Sequence, residues 1–290
     1  MSYGISNQDQ ALSAPVCPRH PERVSYVSCQ RCGRPACAEC QVTAAVGTQC
    51  VDCVREANKN IPTTKTIFGG KATDGRPLVT YILIGINLVI FGLQMTISGL
   101  TNELMYAGIY TSPFGPSEPW RMLTSAFAHS PSFIGHIAFN MYALFICGRV
   151  IEPMLGRTRF LALYFISALG GSVAVLLLSN PLSPVVGASG AVFGLFAALF
   201  VLMRSRGIPV VQIGILMVVN LAIGFIFPGI SWQAHVGGLV IGALSAAVFA
   251  YAPKGSQRAL MQWLGTALII VILTALTLWG SNTVELRLPR

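Results

Sequence analysis

The sequence predicts an all-α polytopic membrane protein whose spans follow a small cysteine-rich module, and three observations predict it. The 290-residue chain is 53% hydrophobic and 10% charged, with a mean hydropathy of +0.65, whereas soluble domains carry about a quarter charged residues. Fifteen of its 29 charged residues fall within the first 76 positions. Seven of its eight cysteines lie there too, and Cys147 stands alone in an apolar run, where it reads as a small buried residue. The net charge of +9 is spread over the N-terminal module and the short loops between apolar segments. Topology signals and anionic lipid explain that distribution better than nucleic acid does.

The polar stretch comes first. "CPRH" (Cys17, His20), "CQRC" (Cys29, Cys32), "CAEC" (Cys37, Cys40) and "CVDC" (Cys50, Cys53) are four pairs of soft ligands, each with two residues between partners. That spacing lets a tight knuckle offer both donors to one tetrahedral zinc, so four pairs imply two structural zinc ions with no open coordination position. Disulfides compete with this reading, but a cytoplasmic location keeps thiols reduced. A module of this size also lacks a sufficient core without a staple, which couples metal binding to folding. The ligand order resembles that of B-box-like and RING-like cross-braced fingers, in which the first pair joins the third and the second joins the fourth; sequential pairing remains open. Residues 1–16 are expected to be a tail, 17–53 the double zinc module and 54–77 a linker.

Seven apolar segments follow, at about 78–98, 134–151, 158–178, 187–204, 209–227, 233–252 and 259–279, each near the length that crosses a bilayer of roughly 30 Å. The first begins only near Leu78, so no secretory signal is expected. Residues 99–133 are too mixed for a span and too long for a turn, as functional embedded loops often are. Arg149, Arg157 and Arg159 follow the second span, Arg204 and Arg206 the fourth, and Lys254 and Arg258 the sixth. The alternate loops "SNPLSP" and "FPGIS" carry no charge. The positive-inside rule therefore puts the N-terminus in the cytoplasm and the C-terminus outside.

Polar groups inside such spans are costly and usually face a protein interior or a wet cavity. Asn87 and Asn220 read as helix glue, the ordinary role of a lone amide. His136, Asn140, Ser189 and His235 differ, because three spans then present them at similar depth near the outer face. Asn140 is one turn from His136 on the same helix face. Gly190 and Gly194 on the fourth span and Gly238 and Gly242 on the sixth form two small-residue strips that allow close helix approach. A serine hydroxyl brought within reach of an imidazole is an activated nucleophile. No Asp or Glu lies in the outer half of any span, so the inventory permits a Ser-His dyad and not a triad. His136 and Asn140, with the Ser189 backbone N–H, are candidate donors to a developing oxyanion.

At these residues the sequence resembles the rhomboid family of intramembrane serine proteases. "PWR" (Trp120, Arg121) resembles its Trp-Arg motif, "HIAFN" its HxxxN, and "GRVIEPMLG" (Gly148, Glu152, Gly156) its GxxxExxxG. "GASG" resembles its GxSG and "AHVGGLVIG" its HxxGxxxG. The resemblance implies a six-helix core over 78–252 with a seventh, C-terminal span within 253–290. It implies Ser189 as nucleophile, His235 as general base, and His136, Asn140 and Gly187 at the oxyanion region. Phe193 would pack on the catalytic histidine, and Glu152 and the long loop would be structural. The spacing from His129 to His136 is longer than usual in the family, and His129 is as suited to a loop role as to oxyanion support.

The expected activity is cleavage of single-span membrane proteins near the outer leaflet through an acyl-enzyme, with no cofactor needed for catalysis. The alternative is an inactive rhomboid-like binder or escort, against which both Ser189 and His235 count. A transporter would show an internal repeat or paired broken helices, which the sequence lacks. Partners are then substrates, the lipid bilayer and a protein partner for which the zinc module leaves room, with no nucleic acid. An Arg-heavy basic content (15 Arg, 4 Lys) points to a bacterial plasma membrane.

Overall fold

The computed structural model describes residues 14–59, 64–72, 75–227 and 229–288. Most of the expected tail at 1–16, and the last two residues of the chain, lie outside the described residues. The chain divides into two compact units, Met1–Thr63 and Thr64–Arg290.

In the first unit, β1 (Val16–Cys17) and β2 (His20–Val24) form an antiparallel hairpin that places Cys17 opposite His20. A second hairpin pairs β3 (Gln41–Thr43) with β4 (Thr48–Cys50), and α1 (Val51–Lys59) follows directly. At Cys29 a tight turn closes through Gly33, whose φ of +73° suits glycine, with Gly33 N–H donating to Cys29 O at 2.8 Å. The core of this unit is its cysteines, packed with Ala36 and Val51. So small an apolar core needs another source of stability.

The second unit is helical. Its membrane helices are α2 (Leu78–Thr96), α5 (Ile134–Leu155), α6 (Arg157–Leu178), α7 (Ser189–Arg204), α8 (Val211–Ile226), α9 (Trp232–Tyr251) and α10 (Arg258–Asn282). Between α2 and α5 the long loop folds into two short helices, α3 (Leu100–Leu104) and α4 (Arg121–Thr124). Helices α6 and α7 form the centre, with most of α7 buried, and α9 packs against both. Among the described residues, five helices are long and apolar enough to span a membrane, and the protein is a multi-pass membrane protein. The two exceptions are α7 and α8, each of 16 residues and hence about 24 Å long.

The shortness of α7 has a local cause. Val185 and Val186 continue the hydropathic run, but Val185 is taken out of the helix by a two-way backbone bridge to Tyr106 in the long loop, at 3.0 and 2.7 Å. Gly187, at φ +129°, then turns the chain into α7. Non-helical backbone at membrane depth survives only where it is buried in protein or lines a wet cavity.

The expected linker at 54–77 is corrected at both ends. Residues up to Lys59 continue α1, because Cys53 sits in its first turn. Residues 64–72 belong to the second unit and form a strap packed on its helices, with Phe68 buried. Gln262 of α10 donates from Nε2 to Phe68 O at 2.9 Å and to Phe249 O of α9 at 2.8 Å, while its Oε1 accepts from Arg159 Nε of α6 at 2.9 Å. The buried carboxamide is fully used by three partners.

Candidate active site

Ser189 is the first residue of α7 and lines a cavity of about 860 Å³, together with His136, Asn140, Gly187, Phe193 and His235. The first intrahelical bond of α7 runs from Val192 N–H to Ala188 O. The N–H groups of Ser189, Gly190 and Ala191 therefore have no acceptor within the helix. The positive end of the helix dipole therefore lies at the cavity wall that Ser189, Gly190 and Ala191 line.

The glycine strips meet. A Cβ on Gly238 would strike the Gly190 carbonyl oxygen, and one on Gly242 would strike the Gly194 backbone. Helices α7 and α9 thus touch main chain to main chain at two levels one turn apart. Gly171 of α6 joins them, its Cβ position lying 3.3 Å from Gly190 Cα and 2.9 Å from Ala234 O. With the helices this close, the His235 imidazole stacks flat on Phe193, ring centroids 4.1 Å apart and planes 12° from parallel. Ser189 and His235 share the cavity wall, and no hydrogen bond joins them among the described residues. His235 Nδ1 is buried and likewise without a partner there.

His136 is oriented by the loop before α5. Its Nδ1 accepts from the Ser130 backbone N–H at 3.3 Å. An amide N–H only donates, so a neutral ring carries its proton on Nε2. That Nε2 lies 2.7 Å from where a Gly187 Cβ would be, which leaves an N–H beside the Ser189 turn. Gly187 itself is no donor, because its N–H goes to Ser125 O at 2.9 Å. Its contribution is space and a backbone angle that L side chains rarely adopt. Asn140 donates from Nδ2 to His136 O at 2.8 Å within α5, and its Oδ1 is buried without a partner.

The loop residues hold this arrangement in place. His129 is buried edge-on against the His136 ring at 5.1 Å, and its backbone is gripped on both sides by the Gln94 carboxamide, at 3.0 and 2.9 Å. Arg121 is buried and bonds Glu118, Asn102 O and Glu103, while its guanidinium covers the Tyr110 ring at 4.3 Å. Trp120 beside it is exposed. Glu152, buried, caps α2: its carboxylate accepts from Val79 N–H (3.0 Å), Thr80 N–H (2.8 Å) and Thr80 Oγ1–H (2.8 Å). Gly148 makes room for the Thr80 side chain, and Gly156 ends α5 at φ +81°.

Three polar participants escape a reading of the sequence. Ser125 and Ser130 act through or upon backbone groups, which residue type does not reveal. Gln94 is an amide in the first apolar segment, and its residue type alone does not disclose that it holds the His129 backbone. Asn220, expected as glue between helices, instead donates to Leu216 O of its own helix at 2.8 Å and lines the cavity.

The first unit brings the cysteine pairs together crosswise. Cys17, His20, Cys37 and Cys40 form one group and Cys29, Cys32, Cys50 and Cys53 the other, the donor atoms of each lying within 4.8 Å of one another. His20 Nδ1 is 3.2 and 3.4 Å from Cys37 and Cys40 Sγ, and Cys32 Sγ is 3.8 Å from Cys50 Sγ. Tetrahedral thiolates at about 2.3 Å from zinc stand about 3.8 Å apart. The eight cysteines are free thiols, so these separations fit two metal ions and not disulfides. Backbone N–H groups, that of Cys37 foremost for Cys17 and that of Cys50 for Cys29, hold both thiols down to about 6. Metal ligands must be thiolates, and these two are prepared for it.

Residues 116–252 match the family model described as the rhomboid domain. Over those residues the chain is similar to the rhomboid domain. It is similar to "Rhomboid protease GluP" of Bacillus subtilis (strain 168), 34% identical over 191 residues, which are 63% of this chain and 37% of that protein. It is also similar to "Putative rhomboid protease YdcA" of the same organism, 34% identical over 133 residues, covering 44% of this chain and 65% of that one. "Inactive RHOMBOID-like protein 8" of Arabidopsis thaliana is 34% identical over 131 residues, 42% of this chain and 36% of its own. The chain thus spans little more than a third of the first and last of these relatives. The matched residues include every cavity residue named above and α4 through α9, whereas the cysteine groups and α10 lie outside them.

Proposed function

We propose that the chain is an intramembrane serine endopeptidase that cuts single-span membrane proteins through a Ser189–His235 dyad. The observation that carries this reading is the backbone contact of Gly238 with Gly190, which sets His235, stacked on Phe193, beside the helix-opening Ser189 in one cavity. In the first step Ser189 Oγ bonds to the carbonyl carbon of the peptide while His235 Nε2 takes the hydroxyl proton. The Oγ···Nε2 hydrogen bond tightens as substrate enters, as such bonds often do on leaving the free state.

The oxyanion receives the His136 Nε2–H, the second Asn140 amide N–H and the Ser189 backbone N–H. One such donor is worth about 3 kcal/mol in the transition state. The tetrahedral species collapses, the C–N bond breaks, and His235 gives its proton to the leaving amine. A cavity water then attacks acyl-Ser189, passing a proton to His235. Collapse returns that proton to Ser189 Oγ and frees the carboxylate.

The charge pattern of the loops supports an N-terminus in the cytoplasm, a C-terminus outside and a cavity open near the outer leaflet. The predominance of arginine over lysine supports a bacterial plasma membrane. The two donor groups take one Zn²⁺ each: Cys17, His20, Cys37 and Cys40 hold the first, Cys29, Cys32, Cys50 and Cys53 the second. Full ligation makes both ions structural.

Labelling with a serine-directed fluorophosphonate and cleavage of a reconstituted single-span substrate test the dyad together. Ser189→Ala abolishes both and leaves expression and folding intact. A wild-type chain that neither labels nor cuts while still binding such substrates would instead support a non-cleaving escort.

A further inference from the structure

Helix α8 presents one polar group to the cavity. Asn220, Ile223 and Phe227 all line it, and their i, i+3, i+7 spacing makes them one stripe. One turn beyond Asn220, Gly224 faces the dyad: a Cβ there would lie 3.2 Å from His235 Nδ1. The orientation of the Asn220 amide follows from its partner. Leu216 O can only accept, so Nδ2 points to it at 2.8 Å, and Oδ1 points away with no hydrogen bond among the described residues.

Depth adds a second observation. Asn220 is six residues from the C-terminal end of α8, and Asn140 is six residues from the N-terminal end of α5, about 9 Å in each case. Those two ends lie on the same side of the membrane, because four crossings (α5, α6, α7 and α8) separate them. Two carboxamides therefore stand at matching depth on the cavity wall, and Asn140 is already committed to the oxyanion region.

A membrane segment can offer a carbonyl to Ser189 only if its helix is opened locally. Opening frees main-chain N–H and C=O groups, which lipid cannot satisfy and which cost several kcal/mol each if left unpaired. We infer that Asn220 is a substrate-binding residue whose Oδ1 accepts a hydrogen bond from a main-chain N–H of the opened segment. Ile223 and Phe227 cover apolar side chains of that same segment. The inference rests on the protease reading above and assigns α8 the recognition of substrate backbone, independent of its side-chain sequence.

The test uses the full chain in liposomes with a synthetic single-span peptide containing helix-breaking residues. Companion peptides each replace one main-chain N–H near the cut by an ester oxygen. Asn220→Leu lowers kcat/KM about tenfold, and Asn220→Gln recovers part of that loss. One ester peptide suffers a similar loss with the wild type and none further with Asn220→Leu, as a coupled pair requires. Fluorophosphonate labelling of Ser189 keeps the same rate in all three proteins.

Unchanged cleavage in Asn220→Leu overturns the inference. So does a parallel fall in labelling, which marks distortion of the dyad, and so do ester penalties that persist undiminished in Asn220→Leu. A wild type that neither labels nor cuts overturns the protease reading, and this inference with it.

Discussion

Gly187 meets two demands that only glycine meets together. Its φ of +129° is a conformation that side chains resist, and His136 Nε2 occupies the place of its Cβ at 2.7 Å. Gly187→Ala must strain the turn or push the imidazole aside, at about 1–3 kcal/mol for the backbone alone. Displacing one oxyanion donor should lower kcat about 100-fold, measured on a reconstituted single-span substrate, while the melting temperature falls by only a few degrees. Equal cleavage by the variant would show that His136 does not serve the reaction. At this scale the sequence was informative wherever chemistry resides in a side chain: His136, Asn140, Ser189 and His235 all reached one cavity. It was silent where a main-chain group is the partner. The Ser130 N–H that sets the His136 tautomer and the Gly187 N–H spent on Ser125 O are properties of conformation, and no residue type announces them.

The contact between α7 and α9 shows how a packing strip becomes a positioning device. Gly242 has Gly194 backbone where a side chain would go, so Gly242→Val cannot be absorbed by a rotamer change. The helices must separate, at a cost of roughly 1–3 kcal/mol from overpacking, and His235 must withdraw from Ser189. The expected result is a lowered thermal midpoint in detergent together with loss of fluorophosphonate labelling. Normal labelling at a lowered midpoint would separate packing from positioning and refute the link. The spacing of Gly190, Gly194, Gly238 and Gly242 made this contact legible. The spans expected at 187–204 and 209–227 differ from α7 and α8 by only one or two residues at their ends, but what ends the helix there was not legible. What stops α7 is a backbone bridge to Tyr106, a partner 79 positions earlier in the chain, and composition carries no trace of so distant a pairing.

Across the whole molecule, the two units draw stability from different sources. The helical unit has a buried apolar centre around α6 and α7, whereas the first unit has little core beyond its cysteines. Removing metal with a strong chelator should unfold the first unit, read by loss of dispersed NMR signals from residues 14–59, while leaving the thermal transition of the helical unit in place. Elemental analysis of the untreated chain should give two zinc ions per molecule, and one or none would refute the double site. The four ligand pairs were legible from their spacing. Their crosswise grouping was implied by the resemblance to cross-braced fingers, while equal spacing within every pair left sequential joining open until the hairpins were placed. The linker was misjudged for a related reason: "TTKTIFGGKA" is polar and glycine-rich like a tether, but Phe68 within it has a buried seat prepared by distant helices.

That seat constrains the order in which the protein can be finished. Gln262 and Phe68 are 194 residues apart, so the ribosome delivers all of α2 to α9 before the carboxamide that holds the strap exists. Until α10 enters the membrane, Phe68 O, Phe249 O and Arg159 Nε all await the same partner. Contacts between such remote positions form slowly, after local structure. A chain stalled or clipped before Gln262 would keep its dyad helices and still leave the strap unfastened, three buried polar groups unpaired and Phe68 in water. The carboxamide of α10 thus works as a clasp that closes only after the helices carrying Ser189 and His235 have been made.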